Sequence, residues 1–235
     1  MQWNAQTLRW FEAASEYTHF HENLIDRMLL LMPTRNTVAD LGCGAGLVDL
    51  SLSRHVKAIT CVDQNQEVLT FLERAAAARG ISNLHTRCAD AFTLQGQWDS
   101  VIMLFFGRIA ENPRAFLSLC NENVIAVVRA DAYGHLGPKG YHPAKHNTVQ
   151  KTAAQLDAQG IRYSLAEDAL EYGQPLESHE EAETFVRAYS RGITEDALHA
   201  YLQEKLVKTG EEKYPLYLPN RKAFGIFCIR RDENA

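Results

Sequence analysis

The feature that most constrains the fold is the stretch from Val38 to Gly46, which reads V-A-D-L-G-C-G-A-G. A short apolar run ends at Asp40, three glycines follow at alternate positions, and apolar residues at helical spacing begin at Leu47. This order predicts a strand, a tight turn and a helix. Glycine lacks a Cβ and adopts positive φ easily, so a ligand can lie directly against such a turn. The free N–H groups at the start of the next helix favour an anionic part of that ligand.

The spacing of the glycines separates two classes of cofactor. A dinucleotide fingerprint has glycine at its first, third and sixth positions, and the sixth position here is Leu47. Asp40 stands just ahead of the first glycine, where an acid attracts an amino group, and a pyrophosphate has none. Both features disfavour a nicotinamide oxidoreductase, which we keep as a hypothesis to be tested.

Composition and charge exclude several other classes of protein. The 235 residues are 46% hydrophobic and 23% charged, which is ordinary for a globular chain, and the net charge of −5 provides no broad basic surface for nucleic acid. The apolar run at 24–32 contains charges and is too short to cross a bilayer, and the first residues lack the pattern of a signal peptide. Five scattered cysteines without a C-x-x-C pair indicate reduced thiols. We expect a cytoplasmic protein that binds neither nucleic acid nor a membrane.

Strand and helix patterns alternate along most of the chain. Beyond the first strand, the predicted strands are 58–62, 84–88, 98–105, 123–128, 161–172 and 223–230, and the predicted helices include 66–79, 113–119 and 146–159. The pattern is typical of an α/β fold with a doubly wound, mostly parallel seven-stranded sheet. We predict a single domain over 1–235, with a helical N-terminal cover at 1–33 and a helical lid inserted at 178–219.

In such a sheet the ligand lies beyond the carboxyl ends of the strands, so the residues that follow each strand are informative. Asp63 follows Gly42 by 21 residues, close to the spacing of about 20 at which an acid reaches ribose hydroxyls. By itself Asp63 is equally explained as a turn residue or a helix cap. After the third strand, Asp90 can accept a hydrogen bond from the amine of adenine, while the N–H of Ala91 can donate to its ring.

Together, residues 35–130 resemble the class I S-adenosylmethionine-dependent methyltransferases, whose first motif is an apolar pair, an acid, a spacer and G-x-G-x-G. The resemblance implies S-adenosylmethionine as cofactor, S-adenosylhomocysteine (SAH) as product, and methyl transfer as the reaction. It also implies the following cofactor contacts: Asp40 with the amino group, Gly42 and Gly44 with the cofactor backbone, Asp63 with the ribose, and Asp90 and Ala91 with adenine. We also expect the adjacent Gln64 to contribute to the cofactor site.

The segment after the fourth strand departs from part of that family. Methyltransferases of base amines and glutamine amides carry Asn or Asp followed by Pro-Pro-Tyr there, whereas this chain has Leu, Phe, Phe, Gly and Arg at 104–108. The departure argues against amino-methylation of DNA. We expect Phe105 to contribute to the cofactor site, although neighbouring strand residues point to opposite faces and one of Phe105 and Phe106 is equally explained by packing.

The residues that would act on the acceptor are less well defined. The candidates are Tyr17, His19, Arg108 and His135. The resemblance implies that Tyr17 lies near the methionine end of the cofactor, and a tyrosine or histidine can serve as a general base. Arg108 can receive an anionic substrate. No histidine spacing matches a metal site, so we predict none.

We therefore predict a methyltransferase that acts on a small molecule, with anionic molecules among the candidates, and that is a monomer or a homodimer. The alternative is a non-catalytic module that binds S-adenosylmethionine or SAH as a partner or sensor. It would keep the nucleoside pocket and lack a competent acceptor site. The sequence leaves the methylated atom open.

Overall fold

A computed structural model of the protein describes residues 4–106, 108–130, 136–141 and 147–234. The strands in these ranges are β1 (Thr37–Leu41), β2 (Ala58–Asp63), β3 (Leu84–Cys88), β4 (Trp98–Leu104), β5 (Cys120–Arg129), β6 (Ser164–Glu171), β7 (Gln174–Leu176), β8 (Val207–Lys208), β9 (Leu216–Leu218) and β10 (Arg221–Arg230). The α-helices are α1 (Ala5–Thr18), α2 (Phe20–Leu29), α3 (Leu47–Leu52), α4 (Gln66–Ala78), α5 (Pro113–Ser118), α6 (Val149–Ala158), α7 (His179–Tyr189) and α8 (Glu195–Lys205). None of these helices has the length and apolar character needed to cross a membrane.

Seven strands form one sheet in the order β3-β2-β1-β4-β5-β10-β6. The pairs β1 with β2, β1 with β4, β2 with β3 and β4 with β5 are parallel, whereas β10 runs antiparallel to β5. Helices lie on both sides of the sheet. The predicted doubly wound, mostly parallel sheet is confirmed. Strand order reverses between β1 and β4, which is where a fold of this kind binds its ligand.

The centre of the sheet is buried on both faces, as its nearly continuous apolar strands predict. In β4, Val101, Ile102 and Met103 are at most 1% exposed. At the edge, β3 keeps most of its side chains partly or fully exposed. The order and burial of the strands therefore fix the carboxyl ends of β1, β2 and β3 along one rim of the sheet.

The chain divides into two compact units, and most of the sheet belongs to the larger one, which comprises 21–130, 147–168 and 224–235. The smaller unit comprises 1–20, 131–146 and 169–223. Its described residues form α1, α7, α8 and a small antiparallel sheet in the order β7-β9-β8. Its core contains Trp10, Phe185 and Leu202. The predicted cover at 1–33 and lid at 178–219 stay predictions.

Helix bounds follow local capping. Within the segment expected to be a helical cover, α1 begins at Ala5, because Asn4 caps it by accepting a hydrogen bond of 2.9 Å from the N–H of Thr7. It continues to Thr18 and ends where His19 adopts a left-handed conformation with φ of 51°. In the smaller unit, the segment predicted to be helical at 178–219 contains α7 and α8. The three short strands β7, β8 and β9 are not indicated by the sequence pattern.

Candidate functional site

The glycine turn after β1 is tied to the end of β2. The backbone N–H groups of Gly42 and Cys43 both donate to the carbonyl of Val62, at 2.8 and 3.1 Å. Gly42, Gly44 and Gly46 have φ values of 76°, 56° and 67°, in the left-handed region that glycine adopts at little cost. The turn therefore needs glycine for its conformation.

Gly42 also needs to be glycine because of its surroundings. A Cβ added there would lie 2.5 Å from Cδ2 of Phe106, closer than real side chains approach. The aromatic ring of Phe106 thus packs directly against the bare backbone of the turn. This close approach makes Phe106 one wall of the space above the turn.

Asp63, at the end of β2, holds the same turn from the other side. Its Oδ2 accepts a hydrogen bond of 2.9 Å from the N–H of Gly44, and its Oδ1 accepts one of 2.9 Å from the N–H of Asn65. Asn65 in turn caps α4 by accepting from the N–H of Glu67. Each carboxylate oxygen can accept more than one hydrogen bond, so Asp63 keeps acceptor capacity toward a ligand.

A cavity of about 150 Å³ opens beside this turn. It is lined by Gly42, Val62, Asp63, Gln64, Ala89, Ala91, Phe106 and Arg108. A cavity of about this volume holds a benzene-sized ring. The structure thus brings together Gly42, Asp63, Gln64, Ala91 and Arg108 from the set of residues singled out in the sequence.

Arg108, which lines the cavity, packs against Phe92, which lies outside the cavity lining. Asp90 accepts a hydrogen bond of 3.0 Å from the N–H of Phe92, which fixes the turn after β3. The guanidinium carbon of Arg108 lies 4.2 Å from the centre of the Phe92 ring, and Glu111 binds that guanidinium through two hydrogen bonds of 2.8 and 2.7 Å. Arg108 therefore lines the cavity with a planar guanidinium that is paired with Glu111. Its predicted role toward an anionic acceptor stays a prediction.

At the end of β4 the two phenylalanines separate. Phe105 has a φ of 54°, which is uncommon for a bulky residue and interrupts the alternation of the strand. Its ring packs edge-on against Phe224, with centres 6.2 Å apart. The structure therefore brings Phe106 to the cavity and packs Phe105 against β10, and the expected contribution of Phe105 to the cofactor site stays a prediction.

Asp40 is also away from the cavity surface. It is 1% exposed and lies in β1 directly opposite Cys61 in the register of β1 and β2. Burial, followed by the charges of Asp49 and Asp63, raises the pKa of Asp40 well above its usual value. Asp40 is therefore buried among other acidic groups, and its expected contact with the amino group of a cofactor stays a prediction.

The other acceptor-side candidates belong to the smaller unit or lie outside the described residues. The Tyr17 hydroxyl donates to Glu211 at 3.1 Å, and burial together with Glu211 raises the pKa of Tyr17. Its ring lies 5.0 Å from that of Tyr217. His19 ends α1. His135 lies outside the residues that the structure describes, and the roles of all three stay predictions.

Sequence reasoning missed two residues that the structure brings to this region. Asp49, in α3, is 0% exposed, and it was not among the residues singled out in the sequence. Phe106 was considered only as one of a pair. An acid inside the otherwise apolar segment L-V-D-L-S-L was the available signal for Asp49.

Comparison with known proteins identifies the domain that contains this site. The family model for a methyltransferase domain matches residues 38–129, which include the glycine turn, Asp63, Asp90 and Phe106. No curated protein matches the chain at a significant level.

Solved structures share the fold over most of the chain. The YcgJ protein from Bacillus subtilis is 14% identical with a TM-score of 0.57, and the match covers 90% of this chain and 99% of that one. The magnesium protoporphyrin IX methyltransferase from Synechocystis PCC 6803, solved with bound SAH, is 12% identical with a TM-score of 0.54, covering 98% and 89%. The cyclase SpnF is 17% identical with a TM-score of 0.53, covering 88% and 79%. By these comparisons, residues 38–129 match a methyltransferase domain, and the chain has the Rossmann-like fold of S-adenosylmethionine-dependent methyltransferases.

Proposed function

We propose that the protein transfers the methyl group of S-adenosylmethionine to a small-molecule acceptor. The observation that carries this proposal is the cavity at the carboxyl ends of β1, β2 and β3, lined by Gly42, Asp63, Gln64 and Ala91 inside the matched domain. The glycine turn can lie against the charged tail of the cofactor, the carboxylate of Asp63 can bind the ribose hydroxyls, and the cavity can hold the base.

The residues present fit the nucleoside part of the cofactor. Asp63 is fixed by two backbone N–H groups and retains lone pairs for the two hydroxyls of a ribose. The cavity beside Asp63 is also lined by Phe106 and Arg108, and its volume of about 150 Å³ suits an aromatic ring. The remainder of the cofactor would extend over the glycine turn, so we propose that Gly42 and Gly44 support its tail.

When bound, S-adenosylmethionine supplies a methyl group on a positively charged sulfur, which an acceptor can displace in line. The protein residues hold the nucleoside and the turn so that the acceptor meets the methyl group in one orientation. Such alignment contributes several kcal/mol to lowering a barrier. Phe106 and Arg108 line the cavity and would border the bound nucleoside.

Several properties support a small acceptor. The net charge of −5 disfavours a nucleic-acid backbone, and the segment at 104–108 lacks the Asn-Pro-Pro-Tyr type of sequence used toward base amines. The Synechocystis neighbour acts on magnesium protoporphyrin IX, a small molecule, but its low identity supports the fold alone. We also propose a reducing compartment such as the cytoplasm, because all five cysteines are free.

The second candidate function is a module that binds the cofactor or SAH without catalysis. The fold by itself does not select methyl transfer, since SpnF, with a comparable TM-score, is a cyclase. The two functions share the nucleoside site and differ in whether any acceptor becomes methylated.

The test has two stages. Calorimetric titration with S-adenosylmethionine, SAH and NADH is expected to give binding of the first two and weaker binding of NADH. Incubation with radiolabelled methyl donor and a panel of small nucleophiles, followed by product mass, is then expected to give a labelled small molecule. Binding without transfer to any acceptor supports the non-catalytic module, whereas tighter binding of NADH overturns the assignment.

A further inference from the structure

Two carboxyl groups are buried side by side beneath the glycine turn. Asp40, in β1, is 1% exposed and Asp49, in α3, is 0% exposed. Among the described residues, neither oxygen of Asp49 has a hydrogen-bond partner if both groups are ionised, and the same holds for Oδ1 of Asp40. The carboxyl of each residue lies within hydrogen-bonding reach of the other.

The groups around this pair supply no positive charge. Within the described part of the chain, the charged groups that act most on Asp40 are Asp49 and Asp63, and both are acidic. The remaining titratable neighbours are the thiols of Cys43, in the turn, and Cys61, in β2. A buried carboxylate without a partner is costly, and two adjacent carboxylates cannot both ionise without compensation. One proton held between the two groups removes both difficulties, because the protonated carboxyl then donates to the ionised one.

The pKa directions agree with this geometry. Burial first, and Asp49 second, raise the pKa of Asp40 well above its usual value. Burial also raises the pKa of Asp49 to about 7, although its hydrogen bond with Asp40 lowers it. Contact with Cys61 lowers the pKa of Cys43, but burial and the nearby acids outweigh that effect and raise it to about 11, so this thiol stays neutral. Asp40 is therefore the donor and Asp49 the acceptor.

We propose that Asp40 and Asp49 hold a proton between them at neutral pH, and that binding of the S-adenosylmethionine cation over the glycine turn releases it to solvent. The proposal rests on the proposed function, since it takes the cofactor as the ligand of the turn. No covalent bond changes: one O–H bond of the pair breaks, and buffer accepts the proton. Asp49 acts through Asp40 and is a positioning residue.

The chain connects the pair closely to the turn. Asp40 precedes Gly42 by two residues, and the N–H groups of Gly42 and Cys43 are bound to the carbonyl of Val62, next to Cys61. A cation over the turn would therefore approach the pair through a thin, water-poor layer. Opposite charges attract more strongly across such a layer than through water. The doubly ionised pair then becomes favourable, and its proton leaves.

The first experiment examines the ligand-free protein. Carboxyl carbons of labelled aspartate are followed by NMR as a function of pH. We expect at least one aspartate signal to titrate far above the ordinary value of about 3.9. Asp40→Asn should remove that signal, while the amide can still donate to Asp49. The exposed aspartate variant Asp26→Asn is the matched control and should retain it. Complete titration of every aspartate near its ordinary value overturns the proposal.

The second experiment measures proton release on binding. Calorimetry with S-adenosylmethionine at about pH 7, in buffers of different ionisation enthalpy, gives the number of protons released. The ligand's own amino group, whose pKa is about 8, can also release a proton on binding, and it does so in both proteins. The double variant Asp40→Asn/Asp49→Asn is therefore measured as the reference, and its proton release is subtracted from that of the wild type. We expect the wild type to release up to one more proton than the double variant, and Asp26→Asn to match the wild type.

The outcomes separate this proposal from the proposed function. Binding with equal proton release in the wild type and the double variant overturns the proton-sharing pair and leaves the methyltransferase function intact. Absence of S-adenosylmethionine binding overturns the proposed function, and the NMR titration still decides whether the proton is shared. Where the double variant does not fold, each single variant is expected to release less than the wild type, and undiminished release in both contradicts the proposal.

Discussion

The Oδ2 atom of Asp63 accepts a 2.9 Å hydrogen bond from the backbone N–H of Gly44, so the acid that ends β2 holds the turn that follows β1. Asp63→Ala should therefore remove both a ligand acceptor and a support of the turn. We expect S-adenosylmethionine affinity to fall by about 1 to 3 kcal/mol, on the order of 5- to 150-fold. Calorimetric titration measures the change.

Asp63→Asn separates the loss of the charge from the loss of the support of the turn. Its amide oxygen can still accept from one backbone N–H, so the turn should be less disturbed while the charge is lost. Asp26→Asn removes an exposed charge in α2 and should leave the affinity unchanged. Unaltered affinity in Asp63→Ala would show that the ribose lies elsewhere.

The contact between Gly42 and Phe106 predicts a coupled effect. Gly42→Ala introduces a Cβ 2.5 Å from the ring and also places alanine at a φ of 76°, which costs about 1 to 2 kcal/mol. We expect it to lower both stability and cofactor affinity. Phe106→Ala should relieve the steric part in the double variant and leave the backbone part. A double-mutant cycle from urea unfolding measures the difference, and strict additivity would contradict the contact.

The Arg108 wall predicts a modest effect on nucleoside binding. Arg108→Ala removes the guanidinium that lies 4.2 Å from the Phe92 ring. We expect the affinity for SAH to fall by about 0.5 to 2 kcal/mol, because the guanidinium lines the cavity and can make a cation–aromatic contact with the adenine ring. Arg114→Ala, which removes an exposed arginine from α5, is the matched control. Equal affinities for the two variants would mean that Arg108 does not border the bound nucleoside.

The buried pair also predicts how stability depends on pH. Unfolded aspartates lose their protons near pH 3.9, whereas burial raises the pKa of Asp40 and Asp49 in the folded protein. The folded state then binds more protons above about pH 4, so the free energy of unfolding should fall as pH rises through the folded pKa values. The slope approaches about 1.4 kcal/mol per pH unit for each proton retained.

Urea unfolding between about pH 5 and about pH 8 measures this slope. Asp40→Asn/Asp49→Asn should flatten it. Asp99 contributes in a separate window: burial raises its pKa, but hydrogen bonds from Thr37 outweigh burial and lower it. Its stabilisation is present above the unfolded pKa and is lost as pH falls through the lower folded value. A steeper profile in the double variant than in the wild type would contradict the assignment of the pair.

A last prediction concerns the smaller unit. Trp10 is 3% exposed, donates to Glu181 at 2.9 Å and packs edge-on against Phe185 at 5.1 Å. Trp10→Ala should destabilise this unit by about 3 to 5 kcal/mol, whereas Trp10→Phe, which keeps a ring and loses the N–H, should cost about 1 kcal/mol. Hydrogen exchange of the α7 amides measures both. Similar exchange rates in the two variants would show that the ring contributes little.

The sequence was sufficient to predict the main sheet because its strands have a strong apolar signal. Val101, Ile102 and Met103 form a continuous buried run in β4, and the glycine turn marks the junction of β1 and α3. The strands β7, β8 and β9 have two or three residues each, too few for a period of two to be recognised. Their pairing depends on contacts between distant parts of the chain.

Part of the convergence of residues at the candidate site could also be predicted from the sequence. Gly42, Asp63 and Ala91 follow strands, and parallel strands bring their carboxyl ends together, so their convergence could be expected. Which of Phe105 and Phe106 enters the cavity depends on a single left-handed backbone angle, which phenylalanine rarely adopts. The pairing of Asp40 with Asp49 depends on how α3 packs beneath the turn, and periodicity carries no information on that.

The antiparallel direction of β10 has a consequence for engineering the enzyme. Phe224, near its start, pairs with Arg129 at the end of β5, so the polypeptide re-enters the sheet on the rim where β5 finishes. Replacing the preceding stretch by one of different length would leave the register of β5 and β10 unaltered. Chimeras joined just before Phe224 are therefore a practical way to exchange that stretch while the pairing of β5 with β10 is kept.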